Sequence, residues 1–365
     1  MYFVANIFYF IYINYYNMGK QLADNSITYL GRTFRTSITK PLTDEEYQEI
    51  VEYIKRRPSK EAAKDELVKI KNGNVKNATV TNHYFLDLMY EARNGQDAWS
   101  INEALQNKKI MEYFNGKCAV NQKVFPLTVP LGERIQAAFR LCGIRCCRKV
   151  PQFPLKAINE LLSVYTKPGD NYYDFSCGWG MRALSALVNN VNYFGTDPNA
   201  RLIDKILEMK NDYDEVNGTK HNFDIRAIGS EVFVPEWENK MDFIFSSPPY
   251  FALEIYNSEN QSYKEGMSYQ EWIDTWMIPT IKNIYKYLKD DKLFAINIKD
   301  IIYDNQVWTL EKDTVNMIES LGFKLDDIHT LKNVKRTFGS QYWDKHTVGV
   351  TTKSDEKIFI FKKIV

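Results

Sequence analysis

The chain has 365 residues, of which 44% are hydrophobic and 25% are charged, and its formal net charge is +1. This length is too great for one small domain and accommodates two. The composition is that of a globular protein and excludes collagen, coiled-coil and acidic disordered chains. Because the net charge is close to zero, binding to nucleic acid would have to depend on local basic patches.

The five cysteines are Cys118, Cys142, Cys146, Cys147 and Cys177. An odd number in a long chain is not typical of a secreted disulfide scaffold, so we expect free thiols in a cytoplasmic protein. Four of them could supply zinc ligands, but no C-x-x-C pair is present and we expect no metal. The abundance of Asn, Lys, Ile and Tyr is typical of an A/T-rich coding sequence and fits a phage or bacterial source.

Residues 1–17 carry no charge. The run is shorter than the roughly 20 residues of a membrane-spanning helix. It also lacks the positive start and the small-residue cleavage site of a signal peptide. We expect that the protein proper starts at Met18, that residues 1–17 are an extension translated from upstream sequence, and that the protein does not bind membranes. A peripheral membrane contact is the alternative.

Residues 18–148 are predicted to form a mainly helical accessory region, which could also recognise the target. Thr43 and Glu46 have the spacing of a capping box, in which the N-cap side chain and the third helical residue satisfy each other's backbone. Apolar residues then follow at helical spacing. Further helices are predicted at 61–70, 100–114 and 134–147.

Residues 149–365 alternate β-rich runs with helical stretches, which predicts a parallel sheet with helices on both faces. The predicted strands are 172–175, 193–195, 225–228, 243–246 and 294–298. The predicted helices are 155–165, 182–189, 201–210 and 269–288. Two β-rich runs, 324–330 and 357–361, come last with no helix between them. They predict an antiparallel hairpin that closes the sheet edge.

A glycine-containing loop, D-F-S-C-G-W-G from Asp174 to Gly180, lies between the first predicted strand of this region and a helix. Glycines at such a corner allow a tight turn and close approach of a ligand, which binds open α/β sheets at the carboxyl ends of their strands. Asp197 ends the next strand about 20 residues further on, where an acid can accept hydrogen bonds from ribose hydroxyls. Position 183 is alanine, so the G-x-G-x-x-G motif of nicotinamide enzymes is incomplete.

The motif Ser247-Pro248-Pro249-Tyr250 follows the apolar run 243–245. Two prolines end a buried strand and hold the chain extended. Since prolines have no N–H, the oxygens of Ser247 and Pro248 can accept both hydrogens of a planar amino group. This turns the nitrogen lone pair toward a methyl donor, so orientation and charge placement can supply the rate. Tyr250 offers a face on which a base can stack.

Together the loop and the S-P-P-Y motif resemble the DNA amino-methyltransferases of the N4-cytosine and N6-adenine group, and phage-borne DNA methylases in particular. The resemblance covers about residues 150–365. It implies a Rossmann-like methyltransferase fold and S-adenosylmethionine as cofactor. By this resemblance the S-P-P-Y tetrapeptide is catalytic, and the cofactor residues are Phe153, Asp174, Ser176, Gly178, Gly180 and Asp197. Glu231, after the third strand, is as readily an exposed turn acid as a contact beside adenine.

Three features depart from the family. Phe175 stands where the family usually has proline. Serine at position 247 is similar to the cytosine enzymes, whereas adenine enzymes more often have Asp or Asn, so we prefer cytosine N4 over adenine N6. No long recognition domain follows the catalytic core, which leaves target reading to the N-terminal region or to the loop 254–267.

Double-stranded DNA with an extruded base is the expected partner. Base extrusion costs a few kcal/mol, so contacts to the phosphate backbone must hold the distorted strand. The candidate contacts are Arg134, Arg140, Arg145, Arg148, Lys335 and Arg336. The alternative for each is an ordinary solvated surface charge.

Two other functions stay open. One is methylation of an RNA or tRNA base, or of a protein glutamine, by enzymes with a similar Pro-Pro-Tyr element that usually begins with Asn or Asp. The other is a nucleic-acid-binding protein that keeps the fold without catalysis. Intact Asp174, Gly178, Asp197, Ser247 and Tyr250 argue against such a loss.

Overall fold

The computed structural model describes residues 26–29, 32–35, 38–75, 78–95, 98–142, 147, 149–256, 260–303, 306–331 and 356–364. Residues 1–17, the predicted extension, lie outside these ranges. The chain forms two compact units, one of Met1–Arg56 with Trp99–Arg148 and one of Arg57–Ala98 with Lys149–Val365. The second unit therefore includes 57–98, which we had placed in the N-terminal region, as well as 149–365.

The strands are β1 (Ser26–Tyr29), β2 (Arg32–Arg35), β3 (Asn171–Asp174), β4 (Asn192–Thr196), β5 (Phe223–Arg226), β6 (Met241–Ser246), β7 (Leu288–Ile298), β8 (Ile301–Tyr303), β9 (Gln306–Trp308), β10 (Phe323–Leu331) and β11 (Glu356–Lys363). The α-helices are α1 (Asp44–Lys55), α2 (Lys60–Lys71), α3 (Thr81–Glu91), α4 (Ile101–Leu105), α5 (Lys108–Val120), α6 (Leu131–Cys142), α7 (Leu155–Tyr165), α8 (Met181–Asn189), α9 (Ala200–Asn217), α10 (Tyr269–Trp272), α11 (Ile278–Tyr287) and α12 (Leu310–Ser320). A π-helical turn, Ile273–Met277, joins α10 to α11. Among the described helices, none combines the length and the apolar character that crossing a membrane requires.

The elements described in the first unit are helices apart from the β1–β2 hairpin. The predicted capping box starts α1, because the Thr43 hydroxyl accepts a bond from Glu46 N at 3.1 Å and the Glu46 carboxylate accepts one from Thr43 N at 3.0 Å. The single helix predicted at 100–114 is instead the pair α4 and α5. The side chain of Asn107 accepts a bond from Lys109 N at 3.1 Å and so starts a new helix.

The segment 57–98 belongs to the second unit because its helices α2 and α3 pack on α9. The Tyr84 hydroxyl donates a 2.9 Å bond to buried Asp212, and Lys64 lies 2.8 Å from the Glu215 carboxylate. Helix α3 was not predicted, and its N-cap residue Val80 makes no side-chain capping bond. Its start therefore lacks the usual sequence signal.

A seven-stranded sheet in the order β10-β11-β7-β6-β3-β4-β5 forms the centre of the second unit. The strands β5, β4, β3, β6 and β7 are parallel, and β11 is antiparallel to both of its neighbours. In sequence order the parallel strands follow the doubly wound pattern 3-2-1-4-5. The prediction of a Rossmann-like α/β fold, with a mostly parallel seven-stranded sheet that ends in an antiparallel hairpin, is confirmed.

The strand order reverses at β3, which lies between β4 and β6. Crossover connections between parallel strands are right-handed, so the helices that follow β3 and those that follow β6 cover opposite faces. A crevice opens at the carboxyl ends of the strands where the order reverses, and this is where doubly wound folds bind ligands. The loops that leave β3 and β6 meet at this crevice.

Candidate active site

Asp174 ends β3 and is fully buried. Its carboxylate accepts bonds of 2.8 Å each from Arg182 Nε, the Tyr193 hydroxyl and the Ser246 hydroxyl, and a 3.2 Å bond from Ser176 N. These four donors tie β3 to β4, β6, α8 and the glycine loop. Asp174 is not among the residues that line the cavity, and these bonds give its carboxylate a role in positioning the loop.

The two glycines of the loop have different surroundings, although both have positive φ, 55° for Gly178 and 75° for Gly180. Gly178 faces the cavity and its N–H donates to Asp197 at 3.3 Å. Gly180 precedes α8, and a Cβ there would lie 2.8 Å from the Phe85 ring. Gly180 is not among the residues that line the cavity, and its glycine allows both the positive φ and the close packing against Phe85.

Asp197 follows β4 and lines the cavity. Its carboxylate accepts bonds from Asn199 N at 3.0 Å and from Gly178 N at 3.3 Å. Burial nevertheless raises the pKa of Asp197 to about 6. Each carboxylate oxygen can accept a second hydrogen bond, so this side chain can serve hydroxyl donors of a ligand while it holds the two loops together.

Glu231 and Phe153 also line the cavity, as the sequence suggested. The Oε2 atom of Glu231 is buried and, within the described part of the chain, has no hydrogen-bond partner. The carboxylate lies over Gly229, where an added Cβ would clash with Oε2. A buried acceptor without a donor is rare in a native protein, and here a bound ligand can supply the donor.

These residues surround one cavity of about 290 Å³ in the second unit. That volume is at the lower bound of the range typical of ligand pockets. The predicted site residues that line it are Phe153, Ser176, Gly178, Asp197, Glu231, Ser247, Pro248, Pro249 and Tyr250. The predicted cofactor loop and the predicted catalytic tetrapeptide therefore lie on the same cavity.

The S-P-P-Y segment is held by a residue that the sequence analysis missed. Asn297, fully buried on β7, accepts a 3.0 Å bond from the Ser247 hydroxyl and a 2.9 Å bond from the Tyr250 hydroxyl. Its Nδ2 donates to the backbone oxygen of Lys357 on β11 at 2.9 Å. Burial raises the pKa of Tyr250, which keeps its hydroxyl protonated. In the sequence, the feature that could have indicated this role is the single asparagine in the otherwise apolar run 294–298.

A second polar group beside the tetrapeptide was also missed. Burial raises the pKa of Glu254 to about 7, although the Tyr256 hydroxyl donates a hydrogen bond to its carboxylate and Lys299 lies near it. Lys299 itself donates to Glu356 at 2.8 Å. The Tyr256 ring lies 5.6 Å from that of Trp179, and all five residues line the cavity.

The predicted nucleic-acid contacts are described only in part. Arg140 on α6 is exposed, and Arg134 is half-buried. Both belong to the first unit. Arg148, Lys335 and Arg336, like Arg145, lie outside the described residues.

Cys118, Cys147 and Cys177 are buried, and the thiol of Cys177 is free. The side chains of Cys142 and Cys146 lie outside the described residues. Within the described ranges, no group of three or more His, Cys, Asp or Glu side chains is arranged to hold a metal ion.

No protein-family model matches the chain, and no curated protein matches it. Among solved structures it is similar to a TehB-like SAM-dependent methyltransferase from Corynebacterium glutamicum, with 18% identity over 56% of this chain and 86% of that one, and a TM-score of 0.35. It is also similar to the 1,6-didemethyltoxoflavin-N1-methyltransferase of Burkholderia thailandensis, solved with S-adenosylhomocysteine, with 8% identity over 58% and 78% and a TM-score of 0.38. The cyclase SpnF has 15% identity over 57% and 81%, and a TM-score of 0.40.

Proposed function

We propose that the second unit transfers a methyl group from S-adenosylmethionine to the exocyclic amino group of a DNA base, with cytosine N4 preferred and adenine N6 next. The observation that carries this proposal is the meeting of the glycine loop and the Ser247–Tyr250 segment on one cavity. The Ser247 hydroxyl donates its hydrogen to Asn297, which leaves the lone pairs of the Ser247 oxygen to accept hydrogen bonds from the cavity. An acceptor beside a cofactor loop is what the methylation of an amine requires.

The polar groups of the cavity fit this cofactor. The unpartnered Oε2 of Glu231 and the carboxylate of Asp197 can both accept hydrogen bonds from a ligand. The ribose hydroxyls and the amino groups of S-adenosylmethionine are suitable donors. Gly178 and Ser176 present loop backbone, and Phe153 presents an aromatic face. When bound, the cofactor supplies a methyl group activated by a positively charged sulfur.

Ser247 and Pro248 act on the amino group that receives the methyl group. In our mechanism Ser247 Oγ and the Pro248 carbonyl accept the two amino hydrogens, which draws the nitrogen lone pair out of conjugation with the ring. Holding the nitrogen in this orientation converts the encounter into an aligned displacement. The cofactor held by Gly178, Asp197 and Glu231 would supply the methyl group for the new C–N bond and would keep the electron pair of the broken C–S bond. The nitrogen then loses one proton, which we assign to Glu254, one of the carboxylates that line the cavity.

Aromatic side chains favour a flat substrate. The cavity is lined by Tyr250 of the tetrapeptide and by Trp179 and Tyr256. Base–aromatic stacking contributes about 1–3 kcal/mol per base. A base can reach such a site only after it leaves the duplex. For double-stranded DNA we assign backbone contacts to Arg134 and Arg140, together with the other four basic candidates.

Thermal unfolding and methyl transfer test the proposal together. S-adenosylmethionine should raise the melting temperature of the wild-type protein, since a ligand that binds only the native state stabilises it. Tritiated methyl transfer should label unmethylated DNA rather than bulk tRNA, and nucleoside mass spectrometry should find N4-methylcytosine. Ser247→Ala should keep the thermal shift and lower transfer by about 10²- to 10³-fold, as the loss of one preorganised polar contact does.

Each alternative has a distinct outcome. Label confined to tRNA would contradict DNA as substrate, and N6-methyladenine would replace the preferred base. A wild-type protein that binds DNA without any thermal shift at saturating cofactor would instead support the nucleic-acid-binding protein without catalysis.

A further inference from the structure

The three hydrogen bonds of Asn297 determine which way its amide points. In coordinates an amide nitrogen and oxygen can be exchanged, so the network must assign them. One end of this amide lies 2.9 Å from the backbone oxygen of Lys357, which can only accept. That end is therefore the NH₂ group, and the end that faces Ser247 and Tyr250 is the oxygen.

This assignment determines the direction of the two hydroxyl bonds. The Asn297 oxygen can only accept, so the hydroxyls of Ser247 and Tyr250, at 3.0 Å and 2.9 Å, must both donate. A serine hydroxyl has one hydrogen. Once that hydrogen points at Asn297, Ser247 Oγ has only lone pairs to offer to the cavity that it lines.

We propose that Asn297 is a positioning residue that makes Ser247 an obligatory hydrogen-bond acceptor toward the substrate. The inference rests on the proposed function and deepens it. A substrate that presents an N–H at this point finds a partner, whereas one that presents an oxo oxygen faces lone pairs. Asn297 touches neither reactant and acts through Ser247.

The position of Asn297 in the sheet keeps this arrangement rigid. It lies on β7 between β6 and β11, and its neighbour Ile296 pairs with Ser246, the residue before Ser247. On the other side, Asn297 pairs with Ile358 of β11. Side chains held on sheet strands keep their geometry better than those on loops.

A double-mutant cycle tests the inference. Asn297→Leu should lower kcat for methyl transfer to unmethylated DNA by about 10- to 100-fold, because the freed Ser247 hydroxyl can turn and donate. In the Ser247→Ala background the same change should alter kcat by less than about twofold, since residues that act as a unit are not additive. The thermal shift with S-adenosylmethionine should persist in both variants.

Asn192→Leu is the matched control. Asn192 is also an asparagine of this sheet whose Nδ2 donates to a backbone oxygen, that of Gly169 at 3.0 Å, but it lies at the amino end of β4. Its loss should leave kcat unchanged. Equal factors for Asn297→Leu in both backgrounds would show independent action and overturn the inference alone. A wild-type protein without methyl transfer would overturn the proposed function and this inference with it.

Asn297→Asp covers the case in which the leucine variant does not fold. A protonated carboxyl there can still donate to Lys357 and accept from both hydroxyls, and burial raises a carboxyl pKa. An ionised carboxylate also accepts from both hydroxyls, so Ser247 stays an acceptor in either protonation state. Asn297→Asp should therefore lower kcat far less than the about 10²- to 10³-fold expected for Ser247→Ala. A folded Asn297→Asp variant that lost as much kcat as Ser247→Ala would overturn the inference.

Discussion

Glu254 gives the candidate site a pH dependence that can be derived from its surroundings. Burial raises the pKa of its carboxyl to about 7, and the negative charge of Glu356 raises it further. The hydrogen bond from Tyr256 and the charges of Lys299 and Arg182 lower it. Below this pKa the carboxyl is protonated and cannot accept the proton that the methylated nitrogen must lose.

We therefore expect kcat/KM for methyl transfer to rise with pH through about 7 and then level off, as for a catalytic base in the free enzyme. Glu254→Gln should remove this limb and lower the plateau. Tyr256→Phe should move the limb to higher pH, because the lost hydrogen bond favoured the ionised form. A Tyr256→Phe profile that moved to lower pH would contradict the assignment.

Asp197 also lines the cavity, and burial raises its pKa to about 6. It lies on the side of the cavity that we assign to the cofactor. Its ionisation should therefore appear in the affinity for S-adenosylmethionine. The two carboxyls can be separated in this way, because Glu254 should affect the rate at saturating cofactor.

At the level of elements, the junction between the glycine loop and α8 depends on Gly180. Its φ is 75°, and an added Cβ would lie 2.8 Å from the Phe85 ring. Gly169 also has a positive φ, 89°, but an added Cβ would meet nothing within 4 Å. Gly180→Ala should therefore destabilise the protein by about 1–3 kcal/mol more than Gly169→Ala does, which is the usual cost of overpacking.

Urea unfolding of the two alanine variants measures this difference directly. Both carry the cost of an L-residue at positive φ, so the comparison isolates the contact with Phe85. Equal destabilisation would show that α3, which carries Phe85, shifts to accommodate the added Cβ. The close approach of Phe85 would then not constrain the loop.

The elements that the sequence predicted best are those with local signals. The capping box of Thr43 and Glu46 starts α1 where predicted. Helices α3 and α12 were missed, and neither Val80 nor Thr309 makes a side-chain capping bond at their starts. Their stability comes from packing against the rest of the unit, which a local pattern does not show.

In the candidate site too, the residues that lie in contiguous motifs were easier to predict than those brought together by packing. The glycine loop and the S-P-P-Y segment are contiguous motifs, and the sequence predicted that both face one crevice. Asn297 lies 50 residues from Ser247 and becomes its neighbour only because Ser246 pairs with Ile296 in the parallel sheet. A sequence also does not show that four donors bond to the buried carboxylate of Asp174.

At the scale of the whole molecule, neither compact unit corresponds to a single continuous stretch of the sequence. All residues that line the cavity belong to the second unit, and one of them, Asn94, comes from the segment 57–98. A protein built from residue 149 onward would therefore lack part of the cavity wall and the helices α2 and α3 that cover α9. The complete chain is the proper material for each experiment above.

The charge of the whole molecule limits how it can bind DNA. With a formal net charge of +1, there is no strong overall attraction to a polyanion, so individual phosphate contacts must supply the affinity. Arg140 is an exposed candidate on α6. If it neutralises one phosphate, its loss removes one contribution to the release of counterions.

Binding to a DNA duplex, measured by fluorescence anisotropy over a range of salt concentrations, should give a linear plot of log K against log salt. Arg140→Ala should make its slope less steep by about 0.9, the contribution of one phosphate in B-DNA. Lys167→Ala is the control, because Lys167 is an exposed cation just before β3, at the amino end of the sheet and so opposite the cavity. A slope unchanged by Arg140→Ala would remove α6 from the DNA-binding surface, since a phosphate contact cannot be lost without changing the number of counterions released.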